Sequence, residues 1–293
     1  MKPFALVLLL ASSLAVHSQT AVIPSEGVSP SRGTAPFGLA PQERYLIQAA
    51  QQPIIPVDAE GAKKANALLD RTVQALGGDK YLSFQTVHHY GRSYSLSDGT
   101  VRGQGVRYWR YFRYPDHERI ELTKDRDWII IYAGDKAYET TFRGTRELEQ
   151  KALREYLARR DFGLDYILRD WRKDPQLAVF YDGSTIAESK SAEKVTLING
   201  TNQQVTLYLD SQTGLPLKKE YELRDPTTGE RSREYETYDQ YRSVQGIMTP
   251  HVITRYKDGE MASQRFIKTV EYDVAIPDAK FAAVIDYNRL KKY

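Results

Sequence analysis

A long succession of short β-rich segments, separated by turn residues, constrains the fold most strongly. The turns have a local cause: Asp258-Gly259 is a strong hairpin signal, and 210–214 and 225–229 combine Asp with a closing Gly. Such short connections join antiparallel strands, and there is no regular strand–helix alternation of the kind that predicts a parallel sheet. We therefore predict one large sheet of about eleven to twelve antiparallel strands, which should curl on itself to enclose a core. The predicted strands are 86–96, 101–114, 118–123, 128–132, 136–142, 178–188, 192–199, 203–210, 216–224, 231–244, 247–257 and 261–273.

Two helical stretches accompany these strands. The first, 58–76, begins at the N-cap candidate Asp58 and stops at Gly77-Gly78, and its apolar stripe is typical of a packing face. The second, from about 146 to 172, interrupts the run of strands and carries two apolar stripes separated by Gly163. The expected fold class is therefore mainly β with helices (α+β), with one helix before the sheet and two helices, or one kinked helix, inserted into it.

The N-terminal part predicts export. Residues 1–18 have Lys2 at the start and an apolar run that is too short to span a bilayer comfortably, which favours a cleaved signal peptide with the cut between Ser18 and Gln19. Residues 19–57 contain six prolines and predict a flexible spacer, with one short helix expected near 42–52. The mature protein should then be soluble and periplasmic.

Composition and motifs exclude several classes of function. The chain has no cysteine, so it has no disulfide, no thiolate metal site and no lipidated cysteine anchor, and its net charge of +3 gives no reason to expect nucleic acid as a partner. Neither G-x-S-x-G nor H-E-x-x-H occurs, and Gly103-Gln104-Gly105, a fragment of a dinucleotide motif, falls inside a predicted strand. His88 and His89 are neighbours and would point to opposite faces of a strand, which disfavours a shared metal. We expect no enzymatic activity, no metal and no cofactor.

Four local stretches resemble a known family. Residues 114–121 (YPDHERIE) resemble its strand–turn–strand element, and 209–217 (LDSQTGLPL) its "D-x-x-T-G-L-P" element. Residues 238–250 (YDQYRSVQGIMTP) resemble its "D-Y-R-x-V-x-G-I-x-x-P" segment, and 276–282 (IPDAKFA) its usual ending. Over about residues 60–283 the chain is thus similar to the LolA/LolB-like family of outer-membrane lipoprotein-sorting proteins, in a divergent branch.

This resemblance implies an unclosed β-barrel at 58–283, lidded by the N-terminal helix and the inserted helical pair, followed by a C-terminal tail at 284–293. It also implies that the concave face of the sheet holds a hydrophobic ligand, such as a lipid or the acyl chains of a lipoprotein. A polar rim would come from the arginines of the 101–114 strand, although the sequence does not choose among them. The expected apolar lining comprises Trp109, Phe112, Trp128, Ile130, Tyr132, Leu153, Leu157, Leu164, Leu168 and Trp171, and the expected rim Arg107, Arg110 and Arg113.

The same apolar residues could instead simply fill a core. The alternative function is then a structural or interaction protein of the cell envelope that uses this fold without a ligand cavity, with other envelope proteins as partners. An outer-membrane barrel is disfavoured, because neither face of 231–244 is apolar enough to meet lipid. The space between the sheet and the 146–172 helices distinguishes carriage from the alternative: a cavity of several hundred Å³ favours carriage.

Overall fold

The structure, a computed structural model, describes residues 58–97, 100–101, 103–225, 228–288 and 290–291. The predicted signal peptide at 1–18, its cleavage site, the spacer at 19–57 and the short helix near 42–52 therefore lie outside the described residues. The described residues belong to one compact unit.

One antiparallel sheet of 14 strands forms the body of this unit. Strand β1 lies in its middle, with β3 to β7 following in chain order on one side and β14 back to β8 on the other. Strands β7 and β8 are the two ends of this path, so the sheet is not closed. The strands are Thr86–Ser97 (β1), Thr100–Val101 (β2), Val106–Arg113 (β3), His117–Leu122 (β4), Trp128–Ala133 (β5), Lys136–Thr141 (β6), Gly144–Glu147 (β7), Ala178–Ala187 (β8), Lys190–Ile198 (β9), Gln204–Asp210 (β10), Pro216–Arg224 (β11), Arg231–Val244 (β12), Ile247–Lys257 (β13) and Glu260–Tyr272 (β14).

Two meanders meet at the pairing of β1 with β14. The register between these strands shifts between Tyr90 and Gly91, which marks a β-bulge. A Cβ on Gly91 would lie 2.2 Å from the backbone oxygen of Phe266, so the two backbones approach more closely than any side chain would allow. Glycine is therefore required where the two halves of the sheet join.

Four helices lie against one face of the sheet, here called the inner face. They are Ala59–Leu76 (α1), Asp79–Ser83 (α2), Gln150–Asp161 (α3) and Leu164–Arg169 (α4), and a short 3₁₀ turn follows at Trp171–Lys173. Helices α3 and α4 lie on the connection between β7 and β8, the two edges of the sheet. The helical pair therefore belongs to the segment that links the two meanders.

Helix α1 forms as its sequence predicts. Asp58 accepts a hydrogen bond from the backbone N–H of Glu60 at 3.1 Å, and the helix stops at Gly77, which has φ +132°. Its buried stripe joins the largest apolar cluster, with side chains from β9 and β10 such as Leu197 and Leu207, both fully buried. This core cluster lies beneath α1 in the β8–β11 half of the sheet, and it extends to side chains of β1, β3 and β14 such as Val87, Phe112 and Ile267.

The predicted fold class is confirmed: a mainly antiparallel, unclosed α+β structure. The predicted strand at 101–114 is wrong in its first part, because Gly103 and Gly105 adopt positive φ and form a turn between β2 and β3. The short strand β7 and the short helix α2 were not predicted; β7 lies at the start of the region read as helical.

Candidate functional site

A cavity of about 330 Å³ lies between the inner face of the sheet and helices α2 to α4. Strands β1, β3 to β5 and β11 to β14 form its walls. Part of the lining is apolar, because the ends of α1 and α2 and the strands β1, β3 and β14 contribute aromatic and aliphatic side chains. These are Leu76, Phe84, Val87, Phe112, Ile267 and Tyr272.

A buried ion pair occupies the wall formed by β3 and β4. Arg110 Nε donates to Glu118 Oε1 at 2.5 Å, and the hydroxyl of Tyr156 on α3 donates to Glu118 Oε2 at 2.6 Å. Burial by itself would raise the pKa of Glu118, but the charge of Arg110 and the hydrogen bonds from Arg110 and Tyr156 lower it below its usual value. Glu118 is therefore ionised at neutral pH and ties the helical insert to the sheet.

A second ion pair occupies the opposite wall. Lys219 on β11, which is 2% exposed, has its Nζ 3.1 Å from Glu236 Oε2 and also donates to the backbone oxygen of Phe162 at the end of α3. Tyr238 donates to the same carboxylate at 2.9 Å. Burial opposes ionisation of Glu236, but the charge of Lys219, then that of Arg265, and the two hydrogen bonds hold its pKa at about 2.

The polar part of the cavity contains more cations than anions. Arg255 on β13 has its Nη1 3.9 Å from Glu234, while its Nε is buried without a hydrogen-bond partner. Arg265, on the neighbouring strand β14, makes no hydrogen bond or ion pair with the described part of the chain. Burial, and then the charges of Arg110 and Arg265, lower the pKa of His89 well below its usual value, so this histidine is neutral at pH 7.

Part of the expected lining does face this cavity. The side chains of Phe112, Ile130, Tyr132 and Leu164 form part of its wall, and Arg110 does so as well. Every second residue of a strand faces the same side of the sheet, and directly paired residues on neighbouring strands share that side. Phe112 of β3 pairs with Glu118 of β4, which pairs with Tyr132 of β5, so these three side chains lie on the same face.

Three expected residues lie on the other face of the sheet, here called the outer face. Trp109 stacks on Tyr90 with ring centroids 4.9 Å apart, Arg107 is exposed, and Arg113 pairs with Asp278. The expectation that these three residues line or rim the cavity is corrected, because each has the opposite strand parity to Phe112 and Arg110.

The other expected residues face inward but pack outside the cavity wall. Leu168 and Trp171 belong to the large core cluster, and Leu153 and Leu157 pack with Tyr132 in a smaller cluster beneath α3. Trp128 shares the inner face and donates its indole N–H to Glu139 at 3.0 Å, but it does not line the cavity. These five side chains pack next to the lining residues and do not form the surface of the cavity.

The polar residues of the cavity were missed by the sequence reasoning. Lys219, Glu236, Arg255 and Arg265 come from strands in the second half of the chain, where charged residues alternate with tyrosines and aliphatics. The sequence does contain a signal for inward-facing charges, because some charged residues alternate in step with the apolar residues of their strand. Lys219, for example, is two residues from both Leu217 and Tyr221 and so shares their face. Only the pairing of strands shows that these charges face each other.

Among the described residues there is no group of three or more His, Asp or Glu side chains placed to hold a metal ion. The same described residues include no helix that is both long and apolar enough to cross a membrane.

The comparisons with known proteins bear on the fold alone. No family model matches the chain, and no curated protein matches it by sequence. Among solved structures, a DUF1329 family protein from Desulfovibrio piger superimposes with a TM-score of 0.52 at 14% identity, covering 74% of this chain and 97% of that chain. A LolA superfamily protein from Nitrosomonas europaea gives a TM-score of 0.47 at 16% identity, covering 74% of this chain and 97% of that one. A putative outer membrane lipoprotein-sorting protein domain from Vibrio parahaemolyticus also gives 0.47, at 9% identity, with 75% and 97% covered.

The superposition on the DUF1329 family protein, with a TM-score of 0.52, shows a similarity of fold, as the predicted resemblance to a divergent LolA-like protein implied. At these identities the likeness concerns the fold alone, so function has to be argued from the cavity.

Proposed function

We propose that this protein binds or carries a hydrophobic ligand, such as a lipid or the acyl chain of a lipoprotein, between the inner face of the sheet and the helical insert. One observation carries the proposal: a cavity of about 330 Å³ remains open at this place, where a closed core would be filled by side chains. Its volume lies within the range of about 300–1,000 Å³ that is typical of small-molecule sites. The apolar end of the cavity would hold the hydrocarbon part of the ligand.

The construction of the insert supports the proposal. Polar contacts at separate points tie α3 and α4 to the rest of the fold: Tyr156 to Glu118 at 2.6 Å, Lys219 to the backbone of Phe162, and Tyr81 to Asp165 at 2.8 Å. Contacts of this kind can open and reform without disturbing a closed apolar core. Helix α4 is anchored in the large core cluster by Ile167 and Leu168, whereas the buried side chain of α3, Leu153, lies in the separate smaller cluster. Helix α3 is therefore the part of the insert that would move to admit a ligand.

The test uses Nile red, a neutral hydrophobic dye, with the purified protein. We expect saturable fluorescence enhancement with one site per chain, competed by added phospholipid. Solvent extraction of the freshly purified protein, followed by mass spectrometry, should recover lipid in a near-stoichiometric amount. A chain that neither binds the dye nor carries any lipid would favour the alternative, an envelope interaction protein in which the helices simply cap the sheet.

We further propose that the chain acts outside the cytoplasm, after export and cleavage between Ser18 and Gln19. Its other proposed partners are proteins of the cell envelope, and no enzymatic activity is proposed. Mass spectrometry of the N-terminus from a periplasmic extract should show a mature chain starting at Gln19. Recovery of the intact Met1 form in the cytoplasm would contradict this proposal.

A further inference from the structure

The cavity lining carries an excess of positive charge. Six cationic side chains reach it and only three carboxylates do, and His89 is neutral because burial and the nearby arginines lower its pKa. The cations are Arg110, Arg159, Arg160, Lys219, Arg255 and Arg265, and the carboxylates are Glu118, Asp165 and Glu236. Part of this excess is offset by groups just outside the lining, since Asp161 pairs with Arg160, Glu234 lies 3.9 Å from Arg255, and Arg159 is also engaged. What remains is a positive charge in a partly desolvated space, which favours the entry of a counter-charge.

The cations differ in the hydrogen bonds and ion pairs that they make with the described residues. Arg110 and Lys219 have ion pairs at 2.5 and 3.1 Å, and Arg160 reaches Asp161 at 3.2 Å. Arg265 makes no such contact within the described ranges, although it is only partly exposed. A guanidinium has five N–H donors in a fixed fork that matches a carboxylate or a phosphate. Arg265 therefore presents an open anion-binding group.

Neighbouring side chains extend this donor set. Arg255 is a diagonal neighbour of Arg265 on the adjacent strand, because Ile253 pairs with Arg265 and Arg255 pairs with Ser263. Its buried Nε has no hydrogen-bond partner, and the same is true of the Tyr166 hydroxyl, which reaches the cavity from α4. Unsatisfied donors are rare in buried positions, so two of them around one cavity point to an acceptor that belongs there.

The cavity is also polarised along its strands. On β14, Tyr272 and Ile267 line the apolar end, while Arg265 and Ser263 line the other end. Ile267 and Arg265 are two residues apart, which places the change from apolar to cationic over about 7 Å. On β3, Phe112 is level with Tyr272 through their shared partner Val87, and Arg110, two residues away, is neutralised by Glu118. A ligand that complements both the apolar and the cationic part of the lining has a hydrocarbon chain and an anionic head group.

We propose, building on the proposed function, that the ligand is an anionic amphiphile whose carboxylate or phosphate head binds to Arg265 and Arg255. Its hydrocarbon chain would lie toward Phe112 and Ile267. Ser263 and Tyr166 line the same cavity, and the Tyr166 hydroxyl, which has no hydrogen-bond partner among the described residues, is placed to donate to the head group. The site would then select a ligand with a negative charge at one end and tolerate differences in its hydrocarbon chain.

The test compares four probes that separate the head from the chain: dodecyl phosphate, dodecanol, dodecyltrimethylammonium and inorganic phosphate. Each is titrated below its aggregation concentration against protein that is half-saturated with Nile red. We expect dodecyl phosphate to displace the dye at about tenfold lower concentration than dodecanol, because a charge-assisted hydrogen bond contributes roughly a factor of ten or more. Dodecyltrimethylammonium should be the weakest of the three amphiphiles, and inorganic phosphate should not displace the dye.

Arg265→Gln tests the assignment to this residue. Arg265 makes no hydrogen bond or ion pair with the described residues, so its replacement should leave the protein folded. The readout is the ratio between dodecyl phosphate and dodecanol on the same variant, so a change in Nile red affinity does not enter it. The preference for dodecyl phosphate over dodecanol should fall to about twofold or less, and R265K should retain most of it. The matched control is Lys268→Gln, which removes one positive charge from an exposed position on the same strand and should keep the full preference.

The outcomes separate the two proposals. If neither dodecyl phosphate nor dodecanol displaces Nile red, the cavity does not bind amphiphiles and the proposed function fails together with this inference. If both displace it equally, or if R265Q keeps the full preference, hydrophobic binding stands and the anionic head is overturned. If inorganic phosphate binds as tightly as dodecyl phosphate, the site recognises a free anion and the assignment to an amphiphile is overturned.

Discussion

At the scale of single residues, the Glu118 carboxylate is the shared hydrogen-bond acceptor of two other buried or half-buried side chains. Its side chain is 9% exposed, and it accepts from both Arg110 and Tyr156. Removing one partner of a buried pair leaves an uncompensated charge, which typically costs about 3–5 kcal/mol. We expect Glu118→Gln to lower the free energy of unfolding in urea by roughly 3 kcal/mol.

The matched control for this change is Glu222→Gln. Glu222 pairs with Arg231 at 3.1 Å, but the two side chains are 54% and 68% exposed, and solvated pairs contribute about 0–1 kcal/mol. The same Glu-to-Gln change should therefore alter the free energy of unfolding by less than about 1 kcal/mol. Equal losses in the two variants would show that the Arg110–Glu118 pair is not effectively buried.

Glu236 predicts a pH dependence in acid. Its pKa is about 2 in the folded protein and about 4.5 in the ordinary state, so folding favours the ionised form. A depressed folded pKa stabilises the protein above the unfolded pKa, and this stabilisation is lost as pH falls from about 4.5 toward 2. At pH 7 Glu236→Gln should cost on the order of 3 kcal/mol of unfolding free energy.

Urea titrations at several pH values between 7 and 2 provide the measurement. The gap between the native chain and Glu236→Gln should be full at pH 6–7 and should have largely closed near pH 2, since the native carboxylate is then being protonated. A gap that is the same at both ends of this range would mean that Glu236 stabilises the fold by packing alone.

The sequence reasoning at this scale erred through strand parity. Trp109 and Phe112 differ by an odd number of positions on one strand, so they cannot both face the cavity. Applying the alternation rule strictly to 106–113 would have separated Arg110 from Arg107 and Arg113. The inward charges of β11 to β14 were a harder problem, because a buried Lys219 becomes plausible only once Glu236 is known to lie opposite it.

At the scale of whole elements, turn chemistry made most strands predictable. Strands β11, β12 and β13 begin and end at the predicted residues, because turns that contain Gly or Asp mark their ends in the sequence. Helix α1 was predictable because both of its ends are capped by residues that favour termini. Strand β7 was not, because it is four residues long and its sequence, Gly144–Glu147, has no alternating pattern.

The C-terminal segment is an element that the sequence alone describes poorly. Phe281 is buried against His117 and Arg113 on the outer face, and Lys280 pairs with Glu121 at 3.0 Å. Farther on, Asp286 exchanges hydrogen bonds with Thr145 of β7, at 2.6 and 3.1 Å. The predicted tail at 284–293 thus includes residues that pair with an edge of the sheet.

Removing this segment should uncover that edge. The approach needs Gly144, since a Cβ there would lie 2.7 Å from the backbone oxygen of Asp286. We expect a chain that ends at Ala283 to lose about 1–2 kcal/mol of unfolding free energy, from the lost hydrogen bonds, and to self-associate through the exposed edge. Analytical ultracentrifugation and urea denaturation measure the two effects.

A chain that ends at Asn288 is the matched control, because it keeps the bonds of Asp286 and the bond from the Asn288 N–H to Arg143. It should behave as the full chain does in both measurements. If the shorter chain is equally monomeric and equally stable, the segment does not protect the edge.

At the scale of the whole molecule, one long-range pairing determines the architecture. Strand β1 pairs with β3 on one side and with β14, near the end of the chain, on the other. Local patterns specify the two meanders, but nothing in a turn signal specifies that they share β1. That pairing brings Arg265 of β14 to the same face as Arg110 of β3, and it thereby forms the cavity from both halves of the sequence.

The contrast between a cavity and a filled core gives the last prediction. Ile120 lines the cavity and is only partly buried, whereas Leu207 is fully buried in the core beneath α1. A larger side chain at position 120 can grow into empty space, while one at position 207 has to displace packed atoms, which typically costs about 1–3 kcal/mol. We expect Ile120→Phe to weaken Nile red binding about tenfold and to change the free energy of unfolding by less than about 1 kcal/mol.

Leu207→Phe should show the reverse pattern, with clear destabilisation and with dye affinity unchanged in the fraction that remains folded. Dye titration and urea denaturation on the same samples separate the two effects. If Ile120→Phe is destabilised as much as Leu207→Phe, side chains already fill the space beside Ile120. If its dye affinity equals that of the native chain, the dye binds elsewhere, and the region between the sheet and the helices is then a structural support and not a binding site.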